Sequence, residues 1–240
     1  MKQVELIQFA TADELARMVA EAWLEEVATA QREGKPHHVA LSGGRITLKF
    51  FTVAIELATS RQMKLENVHF FWADERSVPP ADPESNFAAA NEHFFKPLAI
   101  PHDYVHRIQG ELTLEQAVTA ATAEIQSIVP IDSSDQPRLD LIFLGMGEDG
   151  HVASLFPGES EAERSNPAVF RAITNSPKPP PKRITLGYGV IAAAGQVWVL
   201  ASGKGKETAL AESLSATGQT PLARVLQSRS HSKVFTDIRL

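Results

Sequence analysis

The chain has 240 residues, no cysteine and a formal net charge of −6. Its length suits one large α/β domain or two small ones, and the missing cysteines exclude a disulfide framework, a thiolate nucleophile and a cysteine-based zinc site. The acidic balance argues against a nucleic-acid partner, which calls for a basic face. No apolar run approaches membrane-spanning length, and Met1 opens a charged segment without an apolar signal core, so a cytoplasmic protein with no membrane contact is expected.

Residues 4–9 alternate and predict an opening strand. Thr11-Ala12-Asp13-Glu14 has the spacing of a capping box, hydroxyl and carboxylate each satisfying an orphan N–H. A helix follows over 12–32, with Leu15, Val19, Trp23 and Val27 on one face. Gly34 ends it and Pro36 follows. His37 and His38 begin a short buried strand and are expected to be structural or exposed. Ser42-Gly43-Gly44-Arg45 then leads into a helical pattern through Phe50, Val53, Ala54 and Leu57. Strand, Gly-rich turn and helix start together offer free N–H groups and a positive dipole end to a phosphate. Taken alone, the same turn is also an ordinary βα connection with a capping serine.

The apolar strand 68–72 delivers Ala73-Asp74-Glu75-Arg76 at its C-terminal end, the edge where open α/β sheets bind ligands. These charges read either as site residues or as a solvated turn. Pro79, Pro80 and Pro83 stiffen the next loop, and Ser85-Asn86 caps a helix containing Phe87, Ala90 and Phe94. A short strand is expected at 105–108. Thr113-Leu114-Glu115-Gln116 is a second capping box, opening a helix that reaches 128.

A polar connection at 133–138 enters the nearly continuous apolar run 139–144, which suits a strand buried on both faces. Gly145-Met146-Gly147-Glu148-Asp149-Gly150-His151 follows. A buried strand needs no glycine; here glycines let the chain turn sharply and approach a ligand. The spacing G-x-G-x-x-G is that of a dinucleotide loop, but the context disagrees. Pro157-Gly158 breaks the chain where a long helix would run, and 167–174 holds Arg171 and no acid for a ribose. Ser176-Pro177-Lys178-Pro179-Pro180-Pro181-Lys182-Arg183 is a rigid basic loop. Strands are expected at 184–186, 197–201 and 233–235. Gly203-Lys204-Gly205-Lys206 lies between a strand and a helix over 207–214, a second candidate anion cradle. The alternation predicts a doubly wound, largely parallel sheet with helices on both faces, in a single domain over 1–240.

In a parallel sheet the turns that follow the strands share one edge. That edge would gather Arg45, Arg76, Lys178, Arg183 and Lys206 on an acidic body, which suits a small phosphorylated ligand rather than a polymer. His151 is the obvious base near neutral pH, with Asp149 placed to orient or polarise it. By themselves, a turn histidine is most often a surface group and Asp149 a cap. No serine shows the G-x-S-x-G elbow, and no two histidines have metal-ligand spacing. Metal-free water activation, or proton transfer on a sugar phosphate, remains.

Four blocks carry a resemblance: Ser42-Gly43-Gly44; Trp72-Ala73-Asp74-Glu75-Arg76-Ser77-Val78-Pro79 with Asp82, Ser85 and Asn86; Gly145 to His151 continuing as Val152-Ala153-Ser154-Leu155-Phe156-Pro157-Gly158; and Ser176-Pro177-Lys178-Pro179-Pro180 with Arg183-Ile184-Thr185-Leu186. In this order they resemble the glucosamine-6-phosphate isomerase/6-phosphogluconolactonase superfamily, and the Ser-Leu-Phe-Pro ending favours its lactonase branch. The resemblance implies hydrolysis of 6-phosphoglucono-δ-lactone to 6-phosphogluconate without cofactor or metal. It implies that His151 is the general base and Asp149 its support. Arg76 and backbone N–H groups of the glycine turn would stabilise the oxyanion. Ser42, Gly43, Gly44 and Lys206, with Arg183, would hold the 6-phosphate, and Lys178 and Arg45 add candidate contacts. A small-molecule substrate is the only partner implied, for a monomer or small homo-oligomer. The chain departs from the pattern at Arg45-Ile46-Thr47, where Ser-Thr-Pro is common, and at Glu148, where proline is common. Two other readings stand beside it: an amino-sugar-phosphate deaminase or isomerase, and a sugar-phosphate-binding module without turnover.

Overall fold

Six of the strands assemble into one parallel sheet. In the computed structural model, which describes residues 3–240, the chain runs β1 (Gln3–Gln8), α1 (Ala12–Arg32), β2 (His37–Leu41), α2 (Arg45–Ser60), β3 (Val68–Trp72), β4 (Asp74–Arg76) and α3 (Asn86–Ala90). A π turn (Asn91–Phe95) and a 3-10 turn (His102–Tyr104) lead to α4 (Leu114–Ile128) and β5 (Leu141–Gly145). Then come α5 (Glu161–Arg164), β6 (Phe170–Ile173), β7 (Arg183–Leu186), α6 (Tyr188–Ala193), β8 (Gln196–Ala201), α7 (Glu207–Leu214), α8 (Pro221–Ser228) and β9 (His231–Thr236). The large sheet has the order β1-β9-β8-β5-β2-β3, every neighbouring pair parallel. All of β2 and the first four residues of β5 are buried, so helices cover both faces, as expected of a doubly wound sheet.

Strand order reverses between β2 and β5. After β2 the chain moves outward to β3; from β5 it moves the other way, to β8. The loops leaving these two neighbours therefore part, and a crevice opens at their C-terminal ends. The Ser42 hydroxyl donates to the Phe143 carbonyl at 2.8 Å and ties the two strand ends together beneath it.

The core explains the apolar spacing. Trp23 on α1 is fully buried, with ring centroids of Phe50, Phe70, Phe94 and Phe143 at 5.6 to 6.4 Å. Its indole N–H donates to His37 Nε2 at 3.3 Å, so His37 is structural, and both His37 and His38 are buried.

Several expectations need correction. Asp74–Arg76 is not a turn but β4, part of a separate antiparallel sheet of order β4-β7-β6. The strand expected at 105–108 is absent: Val105 makes only an isolated bridge to Phe70. At α1, Thr11 accepts from the Glu14 N–H, but the Glu14 carboxylate reaches back to the Ala10 N–H rather than to Thr11. The full reciprocal box forms at Thr113 and Gln116. The elements α5, β6, α6 and α8 are additional to those expected; the first three, of four to six residues, leave little periodic signal, whereas α8 is as long as α7 and opens on a Thr-Pro start.

Candidate active site

The crevice holds a cavity of about 570 Å³, walled by the turns after β2, β3, β5 and β8. His151 enters it from the turn after β5, and three glycines of that region are needed for sterics. At Gly147 a Cβ would lie 2.0 Å from Cε1 and Nδ1 of His151. Gly150, at φ +76°, packs against Thr220. Gly43 faces Asn86, whose Oδ1 would lie 2.0 Å from a Cβ there.

His151 Nδ1 stands 2.5 Å from Asp149 Oδ1, and the His151 N–H also donates to that oxygen at 3.2 Å. A nitrogen bonded to an ionised carboxylate carries the proton, so Nε2 is the lone-pair nitrogen of the neutral ring. Burial pushes the His151 pKa below the ordinary histidine value; the Asp149 hydrogen bond opposes this without cancelling it, and Lys178 adds to the lowering. For Asp149 burial acts upward, but its bonds to His151 and the charge of Lys178 outweigh it and hold the carboxyl low. Asp149 itself stands behind His151, outside the cavity wall.

At the α2 end, Gly44 is the N-cap at φ +113° and no side chain caps the helix. Gly43, Gly44, Arg45 and Ile46 line the cavity there. Arg45 extends toward Gly203, its Nη2 4.0 Å from where a Cβ on that glycine would stand. Lys206 Nζ donates to the Met146 carbonyl at 2.6 Å, joining the turn after β8 to the glycine turn. Burial lowers the Lys206 pKa, helped by Arg45 and Lys178 and opposed by Glu148 and Asp237. The second cradle differs from expectation in one respect: the Gly203 N–H is taken by the Asp237 carboxylate at 3.1 Å. The turn presents Lys204 and Lys206 instead.

At the other end stand Arg76 and Arg183. Arg76 Nη1 donates to the Glu84 carbonyl at 2.5 Å. Arg183 is buried, and its donors reach the carbonyls of Lys178, Pro179 and Pro180 at 3.0 to 3.1 Å and Ser154 Oγ at 3.4 Å. It therefore clamps the proline loop while forming part of the cavity wall. That grip turns the backbone carbonyls of 178–180 toward Arg183, and Lys178 does not line the cavity; its charge acts on His151 and Lys206 from beside it. Ser42 lines the cavity, but its hydroxyl proton is committed to Phe143.

Asp74 and Glu75, expected either as site residues or as a solvated turn, and Asn86, expected in a helix cap, take definite places here. Asp74 is buried in the wall and accepts from Ser154 Oγ at 2.6 Å. Asn86 lines the cavity and donates to the Asp74 carbonyl at 2.9 Å. The position of Asp74, just past an apolar strand at the ligand-binding edge, was the available signal. Glu75, by contrast, accepts four hydrogen bonds, from Arg76, Ser85, Asn86 and Phe87, and anchors the start of α3. Among the described residues no group of three or more His, Cys, Asp or Glu is arranged to hold a metal ion. A neutral imidazole facing a cationic cavity can take a proton from water beside a bound anion.

Comparison with known proteins gives a consistent picture. The pattern of the glucosamine-6-phosphate isomerases/6-phosphogluconolactonase family matches residues 10–235. A probable 6-phosphogluconolactonase of Oryza sativa subsp. japonica is 33% identical over 234 residues, covering 95% of this chain and 78% of the relative. The 6-phosphogluconolactonase of Aggregatibacter actinomycetemcomitans is 30% identical, covering 96% of each chain. The solved structure of 6-phosphogluconolactonase from Trypanosoma brucei superposes with a TM-score of 0.86 at 26% identity, over 98% of this chain and 97% of the other.

Proposed function

The chain belongs to the glucosamine-6-phosphate isomerase/6-phosphogluconolactonase family, and we propose that within it the chain hydrolyses 6-phospho-D-glucono-1,5-lactone to 6-phosphogluconate, the lactone-opening step of the oxidative pentose phosphate pathway. Curated relatives matching almost the whole chain carry the lactonase name. The observation that carries the reaction is the His151–Asp149 pair, with Nε2 left free at a cavity walled by Arg45, Arg76, Arg183 and Lys206.

His151 Nε2 takes a proton from water, and the resulting hydroxide adds to the lactone carbonyl carbon. Negative charge develops on the carbonyl oxygen, where Arg76 stabilises it; in the glycine turn the Gly147 and Gly150 N–H groups are already donated to the His151 and Gly147 carbonyls. The tetrahedral centre collapses, the bond to the ring oxygen breaks, and His151 returns its proton to that oxygen. Asp149 holds the ring in the required tautomer and stabilises the transient imidazolium. The 6-phosphate rests on Gly43, Gly44, Arg45 and Lys206 at the start of α2, where Ser42 supplies an acceptor and backbone rather than a free proton. Arg183 and Lys178 act mainly as frame and field. We read the chain as one such domain, cytoplasmic, working as a monomer or small homo-oligomer on a small-molecule substrate.

The test is proton release from freshly made lactone, corrected for spontaneous opening. His151→Ala is expected to abolish turnover while largely sparing affinity for 6-phosphogluconate. Lys206→Ala is expected chiefly to weaken binding, since the phosphate is remote from the reacting carbonyl. Ammonia release from glucosamine 6-phosphate without lactone hydrolysis would instead assign the chain to deamination.

A further inference from the structure

Immediately after His151 the chain reverses. Val152 and Leu155 form an isolated antiparallel bridge, closed by the Leu155 N–H donating to the Val152 carbonyl at 2.9 Å. Ala153 carries the reversal at φ +49°, a left-handed conformation disfavoured for any residue with a Cβ. Such strain persists only where the surroundings hold it, and it gathers at functional sites. Here Val152 and Leu155, both fully buried, hold the turn from either side.

What the reversal delivers is Phe156. Its ring centroid lies 4.8 Å from that of His151, with the planes 37° apart. The phenyl ring is itself held: the Arg183 guanidinium lies 5.7 Å from its centroid, and Arg183 is fixed by the three proline-loop carbonyls and Ser154. Asp149 secures one ring nitrogen, which leaves the imidazole free to rock about that hydrogen bond. Gly147 and Phe156 close on the ring and remove that freedom. Phe156 does not line the cavity, so its influence passes through the imidazole.

We propose that Phe156 is a positioning residue for His151, and that the strained turn at Ala153 serves to fold its ring onto the imidazole and keep Nε2 aimed at the bound lactone. This rests on the reading of His151 as the base. The charged groups that face His151 are Asp149 from its own turn, Lys178 from the proline loop and Asp74 from β4.

Phe156→Leu is expected to lower kcat roughly tenfold or more, with KM within about twofold, because misaimed Nε2 weakens the proton transfer and not the binding. The acid limb of kcat/KM moves to higher pH, since leucine covers the imidazole less and the burial that disfavours its charged form relaxes. Phe156→Tyr, which keeps an aromatic ring against the imidazole, restores most of the rate; two surface cavities border Phe156. Ala153→Gly suits the left-handed backbone better than alanine, so the turn keeps its shape, Tm holds or rises and kcat stays within about twofold. A purely structural role of Phe156 lowers Tm without separating kcat from KM or moving the acid limb. Wild-type kcat and an unmoved acid limb in Phe156→Leu overturn the proposal; if the leucine variant fails to fold, Phe156→Met decides the matter by the same two readouts. Failure of the underlying reading looks different: His151→Ala would then retain turnover whatever Phe156 does.

Discussion

Which nitrogen of His151 is left to act as the proposed base is decided by one carboxylate oxygen 2.5 Å from the other nitrogen. Asp149→Asn keeps the shape but offers an amide, which no longer enforces the Nδ1–H tautomer. Its kcat is expected to fall roughly a hundredfold or more. The acid limb of kcat/KM should move to lower pH, because Asp149 favours the imidazolium and its loss leaves burial and Lys178 unopposed. This direction is opposite to that for Phe156→Leu, so one set of pH–rate profiles separates charge support from ring placement. The same scale explains Lys206. Its tether to the Met146 carbonyl fixes where the ammonium stands before any ligand arrives, and preorganised charge loses less on binding.

Among the elements, the start of α2 is the most exacting. Gly43 passes so close to Asn86 that any Cβ must displace it, and Asn86 in turn holds the Asp74 carbonyl at 2.9 Å. Gly43→Ala is therefore expected to destabilise by about 1–3 kcal/mol and to raise KM, measured by urea unfolding and steady-state kinetics on the same preparation. The long elements were legible from spacing. The helix expected over 12–32 and the helix over 207–214 form with those bounds, and the strand at 68–72 likewise. The antiparallel sheet was not legible. Strands β4 and β6 have three and four residues, too few for a period, and exist because β7 pairs with both.

For the whole molecule, the histidines at the opposite end of the sheet set the response to acid. Burial, against a weaker pull from Asp140, lowers the His37 pKa to about 4; burial and the neighbouring His106 and His38 lower that of His69 to about 4. The unfolded chain titrates near the ordinary value of about 6.5. These groups therefore favour the fold fully above that value, and their contribution is lost as pH falls toward 4. For His37 the loss amounts to about 3 kcal/mol at the acid end of the window. Urea midpoints should hold steady above neutrality and decline between about pH 6.5 and 4, and His37→Gln should flatten the decline while weakening the fold at neutral pH. By itself the sequence determined the alternation of strands and helices, the glycine turns, the histidine with a carboxylate two residues away, and the family, because these are written in local spacing and in contiguous motifs. Only the tertiary structure decided which cations face the cavity. Arg183 proved to be clamped on three carbonyls, Ser42 to have its proton committed to Phe143, and Lys178 to stand outside the wall. The physical reason is that a side chain's free donors depend on partners far away in the chain, and spacing along the sequence carries no record of them.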